Sequence, residues 1–399
     1  MSILAVAPMD GITNNAFRQI TSKLRNQYWD KQNHELYMWT EFMSVEWYTR
    51  HPQRLCHHIL KNTSQLNVIA QIYWWDGESL LQTAIDIDQK YSLRTELRSS
   101  DLSSWWKWWF VGIELNIWCP SPKIYACESW VGMLRNRPRT LEIIKSISSS
   151  IKLPFSIKTR AWLNQEDKKA QFEWILSVAK YCDMITIHGR TYKDGHSGPV
   201  DYQYIYDIKT ALIDKPNIYG RDTKILANWW LSDYQDWIDK IGNLDGVMRW
   251  QASMKNPFLV VNHKPDLREL RNIILEHLDM YIADDIYMSM ADSFDHSTKT
   301  LIQMDDSKYS QIISDLKNKQ LQKYTYIFDQ DPEDIAKVRR LEDPNSGNRH
   351  SVIEYRKHLF RYITWLEWNK EFKQKVTTIR NYYELVNEIN VFFDSFRLE

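Results

Sequence analysis

Cys119 stands between Trp118 and Pro120-Ser121-Pro122, just beyond the apolar run that begins at Gly112 and contains Asn116. The run reads as a buried strand that stops abruptly and presents Asn116 and Cys119 on the following loop. A thiol in that setting has two readings. It is a small hydrophobe, since free Cys is among the most buried residue types, or it is a positioned proton carrier, largely protonated at neutral pH when its pKa stays near 8.5. The same setting recurs along the chain. Pro8-Met9, Glu41, Gln71, Asn116, Lys158, His188 and Asn228 each lie at or just past the end of a short apolar run. A lone His or Lys at a strand end is commonly a cap or surface group, but seven such positions are hard to obtain from packing alone.

The elements that must hold these residues follow from the hydrophobic pattern. Strands are expected at 3–7, 39–43, 68–72, 112–116, 155–158, 184–188, 224–228 and 245–248. Helical periodicity lies between them at 15–24, 78–91, 139–149, 167–181, 202–212 and 232–241. Eight strands alternating with helices predict an α/β fold, a closed parallel TIM (β/α)8 barrel. A doubly wound sheet is the alternative, but no glycine-rich dinucleotide fingerprint follows the first strand. In a TIM barrel the C-terminal strand ends carry the active site, and the seven positions fall there.

At 399 residues the chain is long enough for more than one domain. Lys+Arg and Asp+Glu both number 51, so any basic surface must be local. The four Cys show no metal-ligand spacing and suit a reduced compartment. There is no basic leader and no run of about 18 apolar residues. A soluble, cytoplasmic, metal-free monomer with no membrane contact is expected. Beyond about residue 265 the pattern turns helical. This divides the chain into a barrel over 1–262 and an all-helical domain over 263–399, with an acidic insertion around 281–348. Residues 281–334 carry eleven Asp/Glu against five Lys. Residues 349–380 carry eight Lys/Arg against three Glu, with Tyr355, Phe360, Tyr362 and Phe372 interleaved. A basic helical face bearing aromatics fits contact with a phosphate backbone, and salt-bridged helix faces look similar.

Several motifs in fixed order carry a resemblance. They are Ala7-Pro8-Met9-Asp10-Gly11-Ile12-Thr13 with Phe17-Arg18, then Glu114-Leu115-Asn116-Ile117-Trp118-Cys119-Pro120. Later come Ile157-Lys158-Thr159-Arg160, His188-Gly189-Arg190-Thr191, Ser197-Gly198-Pro199-Val200-Asp201-Tyr202, Ala227-Asn228, and Gly246-Val247-Met248 followed by Asn256-Pro257. From the first strand to about residue 260, and again weakly at Tyr355-Arg356-Lys357-His358, the chain resembles the tRNA-dihydrouridine synthases. The resemblance implies an FMN enzyme that reduces a tRNA uridine with NADPH or NADH. It places Pro8, Met9, Asp10 and Gln71 at the flavin ring, and Lys158 and His188 at its ring and ribityl groups. The phosphate falls to Asn228, Trp229 and Trp230 together with Trp250 and Gln251. Cys119 takes the general-acid position, delivering a proton to C5 while hydride reaches C6. Asn116, Arg160 and Arg190 face the uracil, which must be extruded from folded tRNA.

The chain departs from the family in one repeated way. It has 19 Trp and only 11 Gly, against an average glycine usage of about 7%. Trp118, Trp162, Trp229 and Trp250 stand at family glycines, and Trp74, Trp75, Trp130, Trp365 and Trp368 look like glycine sites too. Trp105-Trp106-Lys107-Trp108-Trp109 occupies a stretch where a flexible loop is expected. An indole at 118 or 250 obstructs a flavin. Random decay scatters many residue types, whereas one substitution repeats here, which implies a gene that reads UGA as glycine. Genuine tryptophans would instead imply a flavin-less tRNA-binding relic. A flavin reductase of a free pyrimidine is a further alternative, disfavoured by the basic C-terminal helices. Trp230 replaces a frequent Asp, and Gln251 a frequent Arg.

Overall fold

The computed structural model describes residues 1–28, 34–51, 57–62, 64–91, 110–117, 131–191, 198–229, 233–249, 257–288, 290, 294–295, 297, 300–301, 306–320 and 350–396. Trp118, Cys119, Trp230, Trp250 and Gln251 lie outside these residues, and for Trp229 only the backbone is described. Trp74 and Trp75 fall within them, while Trp105 to Trp109 and Trp130 do not.

Eight strands form one closed barrel in sequence order. They are β1 (Ser2–Val6), β2 (His34–Ser44), β3 (Val68–Tyr73), β4 (Gly112–Asn116), β5 (Phe155–Trp162), β6 (Met184–Thr191), β7 (Lys224–Trp229) and β8 (Gly246–Arg249). Every neighbouring pair is parallel, and β8 returns to β1. β4, β5 and β6 are buried along their whole length, as parallel strands covered on both faces must be, and this is why they read as continuous apolar runs. β2 begins at His34 rather than 39. Its first half pairs with β1, from Ser2 opposite His34 to Val6 opposite Met38, and the mixed sequence there gives no apolar run of its own.

Alternation along the strands sends every second residue inward. Ile3, Ala5, Ala7, Trp39, Ile69, Met184, Leu226 and Met248 pack together as the inner cluster. The same alternation points Gln71, Glu114, Lys158 and Thr186 inward from β3, β4, β5 and β6. One wall of the barrel core is therefore apolar and the other polar. Closure needs a glycine at the seam: a Cβ on Gly246 would lie 2.2 Å from the carbonyl oxygen of Ile3 and 2.7 Å from its Cβ.

Barrel helices start on side-chain caps that accept backbone N–H groups. Asn136 caps Arg137–Ser150, Asp201 caps Tyr202–Ala211, and Asp233 caps Tyr234–Asp239. The last begins at 234 rather than the expected 232 because Asp233 caps its first turn.

The chain forms two compact units. The barrel unit comprises Met1–Thr13, Trp29–Ile59 and Gln65–Ala252; the second comprises Asn14–Tyr28, Leu60–Ser64 and Ser253–Glu399. The described part of the second unit is helical apart from a two-residue strand pair, Phe294–Asp295 with Thr300–Leu301. Its long helix Leu267–Met288 buries Ile274, His277, Leu278 and Ile282. Around it, the Tyr355 hydroxyl donates to the Ile274 carbonyl at 2.6 Å, and the Tyr362 hydroxyl pairs with His277 Nδ1 at 2.8 Å. His358 stacks on Phe17. Burial lowers His277 to about 3 and takes His358 well down.

The basic stretch needs a correction. Tyr355, Tyr362 and Phe372 are core residues of this unit, not a surface array. Val352, Tyr355, Leu359 and Tyr362 are spaced at helical period along the buried face of His350–Tyr362. Lys370, Lys375 and Arg380 are exposed. Of the acidic stretch, residues to 288 finish the long helix, Asp306–Lys317 is a second helix, and 321–349 lie outside the described residues.

Candidate active site

The loop after β1 is a tight turn. Ile12 and Thr13 donate their N–H groups to the Met9 carbonyl, both at 3.0 Å. The Thr13 hydroxyl accepts from Met9 N at 2.9 Å. Gly11 takes φ 63, a left-handed conformation that glycine adopts without penalty. Its N–H donates to Glu41 Oε1 at 2.6 Å. Glu41, in the second half of β2, thus anchors the turn that carries Pro8 and Met9, which are buried, and Asp10, which is exposed.

Next round the barrel, the polar wall forms a connected group. Asn116 Nδ2 donates to Gln71 Oε1 at 3.2 Å, and Gln71 Nε2 donates to Glu114 Oε1 at 2.6 Å. Lys158 lies opposite Asn116 in the β4–β5 register, and its charge acts on Glu114. Burial is the dominant effect on Glu114 and holds its carboxyl up at about 7, against smaller pulls from Gln71 and Lys158. The register then carries the rim onward, with Arg160 opposite His188 and His188 opposite Asn228. All of these side chains are buried. An Arg160 guanidinium N–H donates to the Thr191 carbonyl, while Asn228 Nδ2 donates to the Met248 carbonyl at 3.2 Å. Arg190 is buried two residues beyond His188 on the same strand face.

The structure therefore brings Gln71, Asn116, Lys158, Arg160, His188, Arg190 and Asn228 to one end of one barrel, beside the Pro8-Met9 turn. Cys119 lies outside the described residues, but the chain is described up to Ile117, whose N–H donates to the Lys158 carbonyl at 2.8 Å. Trp162, at the end of β5, turns out against Tyr204, with ring centroids 4.6 Å apart and the Lys168 ammonium 4.9 Å above its ring. Two residues escaped the sequence reading. By sequence Glu41 is only a polar residue in a strand, whereas in the fold it holds the Gly11 turn. Glu114 was not singled out at all, although strand alternation sets it on the same face as Asn116, and a carboxylate inside a fully buried strand is a signal in itself.

Among the described residues no helix is long and apolar enough to cross a membrane, and no cluster of three or more His, Cys, Asp or Glu could hold a metal.

Residues 107–326 match the family model described as dihydrouridine synthase, more than half of the 399-residue chain. The chain belongs to the dihydrouridine synthase family. Among its relatives is a protein of Rickettsia bellii named probable tRNA-dihydrouridine synthase, 24% identical over 179 residues, which are 41% of this chain and 52% of that one. The tRNA-dihydrouridine synthase B of Pasteurella multocida is 23% identical over 290 residues, 68% of this chain and 75% of its own length. A probable tRNA-dihydrouridine synthase 1 of Synechocystis is 28% identical over 184 residues, 42% of this chain and 48% of the relative. The chain thus spans about half the length of the Rickettsia and Synechocystis proteins it matches.

Proposed function

We propose that the protein is an FMN-dependent tRNA-dihydrouridine synthase, reducing the C5=C6 bond of one uridine in tRNA with NADPH or NADH. The observation that supports this most is the ring of buried amides and cations at the C-terminal strand ends of a barrel with the family's motifs. Its donor set fits a flavin. Gln71 offers an amide to a heteroaromatic edge of alternating donors and acceptors, and Lys158 offers a cation beside it. FMN, when bound and reduced, would supply the hydride passed from its N5 to C6 of the uracil.

The chain's own residues have the remaining tasks. Pro8, Met9 and Asp10 bound the ring from the β1 turn, which Glu41 keeps in place. Lys158 and His188 hold the flavin's polar edge and ribityl chain; Asn228, Trp229, Trp230, Trp250 and Gln251 are assigned to its phosphate. Asn116, Arg160 and Arg190 orient the extruded uracil and carry negative charge developing on its oxygens. Cys119 gives its thiol proton to C5, the face opposite the hydride. Residues 1–262 are the catalytic domain in this reading, and 263–399 hold the tRNA body. Lys370, Lys375 and Arg380 offer exposed charge for that purpose, although Lys375 is shared with Glu388 at 2.6 Å. The enzyme works in the cytoplasm.

The test is made on full chain in which Trp118, Trp162, Trp229 and Trp250 are changed to glycine. It should purify yellow with bound flavin and form dihydrouridine in tRNA. Cys119→Ala should abolish the product while flavin stays bound; unchanged turnover removes Cys119 from its role. A colourless protein that still binds tRNA favours the relic.

A further inference from the structure

Glu114 is a buried acid for which the proposed reaction has no task. Its Oε1 accepts from Gln71 Nε2 at 2.6 Å. The Trp39 indole and the Thr186 hydroxyl also donate toward its carboxylate and favour the ionised form. An acid buried inside a barrel is expensive even where neutral donors meet it. Packing alone is served as well by Gln or Leu, so the acid calls for a reason that depends on its charge.

The hydrogen-bond chain supplies one. An ionised carboxylate only accepts, so beside it the Gln71 amide has one tenable orientation: NH2 inward, oxygen outward. That outward oxygen accepts from Asn116 Nδ2 at 3.2 Å. A protonated carboxyl can donate as well as accept, and the constraint on Gln71 is then released. We propose that Glu114 is a positioning residue, whose carboxylate fixes the Gln71 amide and with it the donor–acceptor polarity that the barrel mouth offers a flavin. This rests on the flavin reading above.

The groups around Glu114 are few. Lys158 on β5 is the charged neighbour acting on it; Gln71, Trp39 and Thr186, on β3, β2 and β6, are neutral. The inner cluster contributes Ala5, Leu226 and Met248 from β1, β7 and β8, all apolar. Burial sets the titration of Glu114 at about 7, so the orientation of Gln71 becomes unlocked as the pH falls through neutrality. When only a fraction of molecules holds the binding orientation, apparent affinity weakens by that fraction.

FMN is titrated into the full chain from about pH 5.5 to about pH 8.5, following flavin fluorescence and the visible band. The chain is used both with its tryptophans in place and with Trp118, Trp162, Trp229 and Trp250 changed to glycine. The apparent Kd should rise about two- to tenfold as the pH falls through 7. Glu114→Gln, which can donate as well as accept, should show the weaker value at every pH. A flat profile in the parent chain overturns the proposal without recourse to the variant, and so do parallel sloping profiles in parent and variant. If neither parent form binds FMN at any pH, the flavin reading fails and this proposal falls with it; binding with the wrong profile leaves the flavin reading intact.

Discussion

At Glu114 the folded protein keeps a proton that the unfolded chain releases near its ordinary 4.5, because burial moves the group to about 7. Between those values the folded state binds more protons, so stability falls as the pH rises through that window and is lowest above it. Glu114→Gln removes the loss. It should gain on the order of 2 kcal/mol over the parent chain at pH 8 and almost nothing at pH 4, measured by urea denaturation. Such a gain would mark Glu114 as kept against stability, as site residues often are. The tryptophans divide at the same scale. Trp39 is fully buried among the inner cluster, and Trp237 donates its Nε1–H to the Val247 carbonyl at 3.0 Å; both belong to the fold. Trp368 is 44% exposed and sits at φ 53, where an L side chain costs about 1–2 kcal/mol and glycine costs nothing. Trp39→Gly should therefore destabilise by about 3–5 kcal/mol, whereas Trp368→Gly should raise stability by about 1 kcal/mol, the relieved backbone outweighing the lost Phe396 contact. The coding sequence should carry UGA at 118, 162, 229, 250 and 368, and UGG at 39 and 237. UGG at the first five would remove the glycine reading. Residue types alone pointed to the rim amides and cations, because each ends a visible apolar run. They did not reveal Glu114, whose meaning lies in Gln71, 43 residues away in sequence.

Among the elements, β1 and β8 meet last in sequence and first in consequence, since their pairing closes the barrel. Gly246 has no room for a side chain against Ile3. Gly246→Ala should cost about 3 kcal/mol or more by overpacking and loss of ladder bonds, with faster amide exchange along Ser2–Val6. Gly220, at φ 72 with nothing within 4 Å of an added Cβ, is the comparison; alanine there should cost only about 1 kcal/mol through the backbone. Equal losses at the two positions would refute the closure argument. The barrel's strands and helices were legible because each apolar run is bounded by polar or capping residues. The first half of β2 was not, since its pairing with β1 is a tertiary fact. The burial of Tyr355 and Tyr362 follows from helical period, which sets them on the inner stripe of their helix, and composition over 349–380 does not display it.

For the whole molecule, the helical unit draws on sequence far from its main body. Asn15 Nδ2 donates to Asp284 Oδ1 at 2.7 Å, the Tyr309 hydroxyl reaches the same oxygen at 2.8 Å, and Gln19 Nε2 donates to Tyr309 at 2.9 Å. Asn62 in turn donates to Gln19 at 2.6 Å. The unit is thus assembled from three separated stretches, a grouping that no run of composition along the chain can display. A piece comprising Ser253–Glu399 alone would leave Asp284 and Tyr309 short of partners and lose Phe17 from the face of His358. It should melt without a cooperative transition by circular dichroism; a sharp transition matching the full chain would show that Asn14–Tyr28 is dispensable. Within the full chain, Asn15→Ala isolates the polar contribution. Burial raises Asp284 to about 7, and Asn15 is the first of the groups that pull it down, so Asn15 favours the ionised form. The loss on Asn15→Ala should therefore be larger at pH 8, on the order of 1–3 kcal/mol, than at pH 5, where Asp284 is protonated and a neutral acceptor is left. A loss that is equal at both pH values would mean that Asn15 holds its place by packing and that the charge of Asp284 has no part in binding the helix.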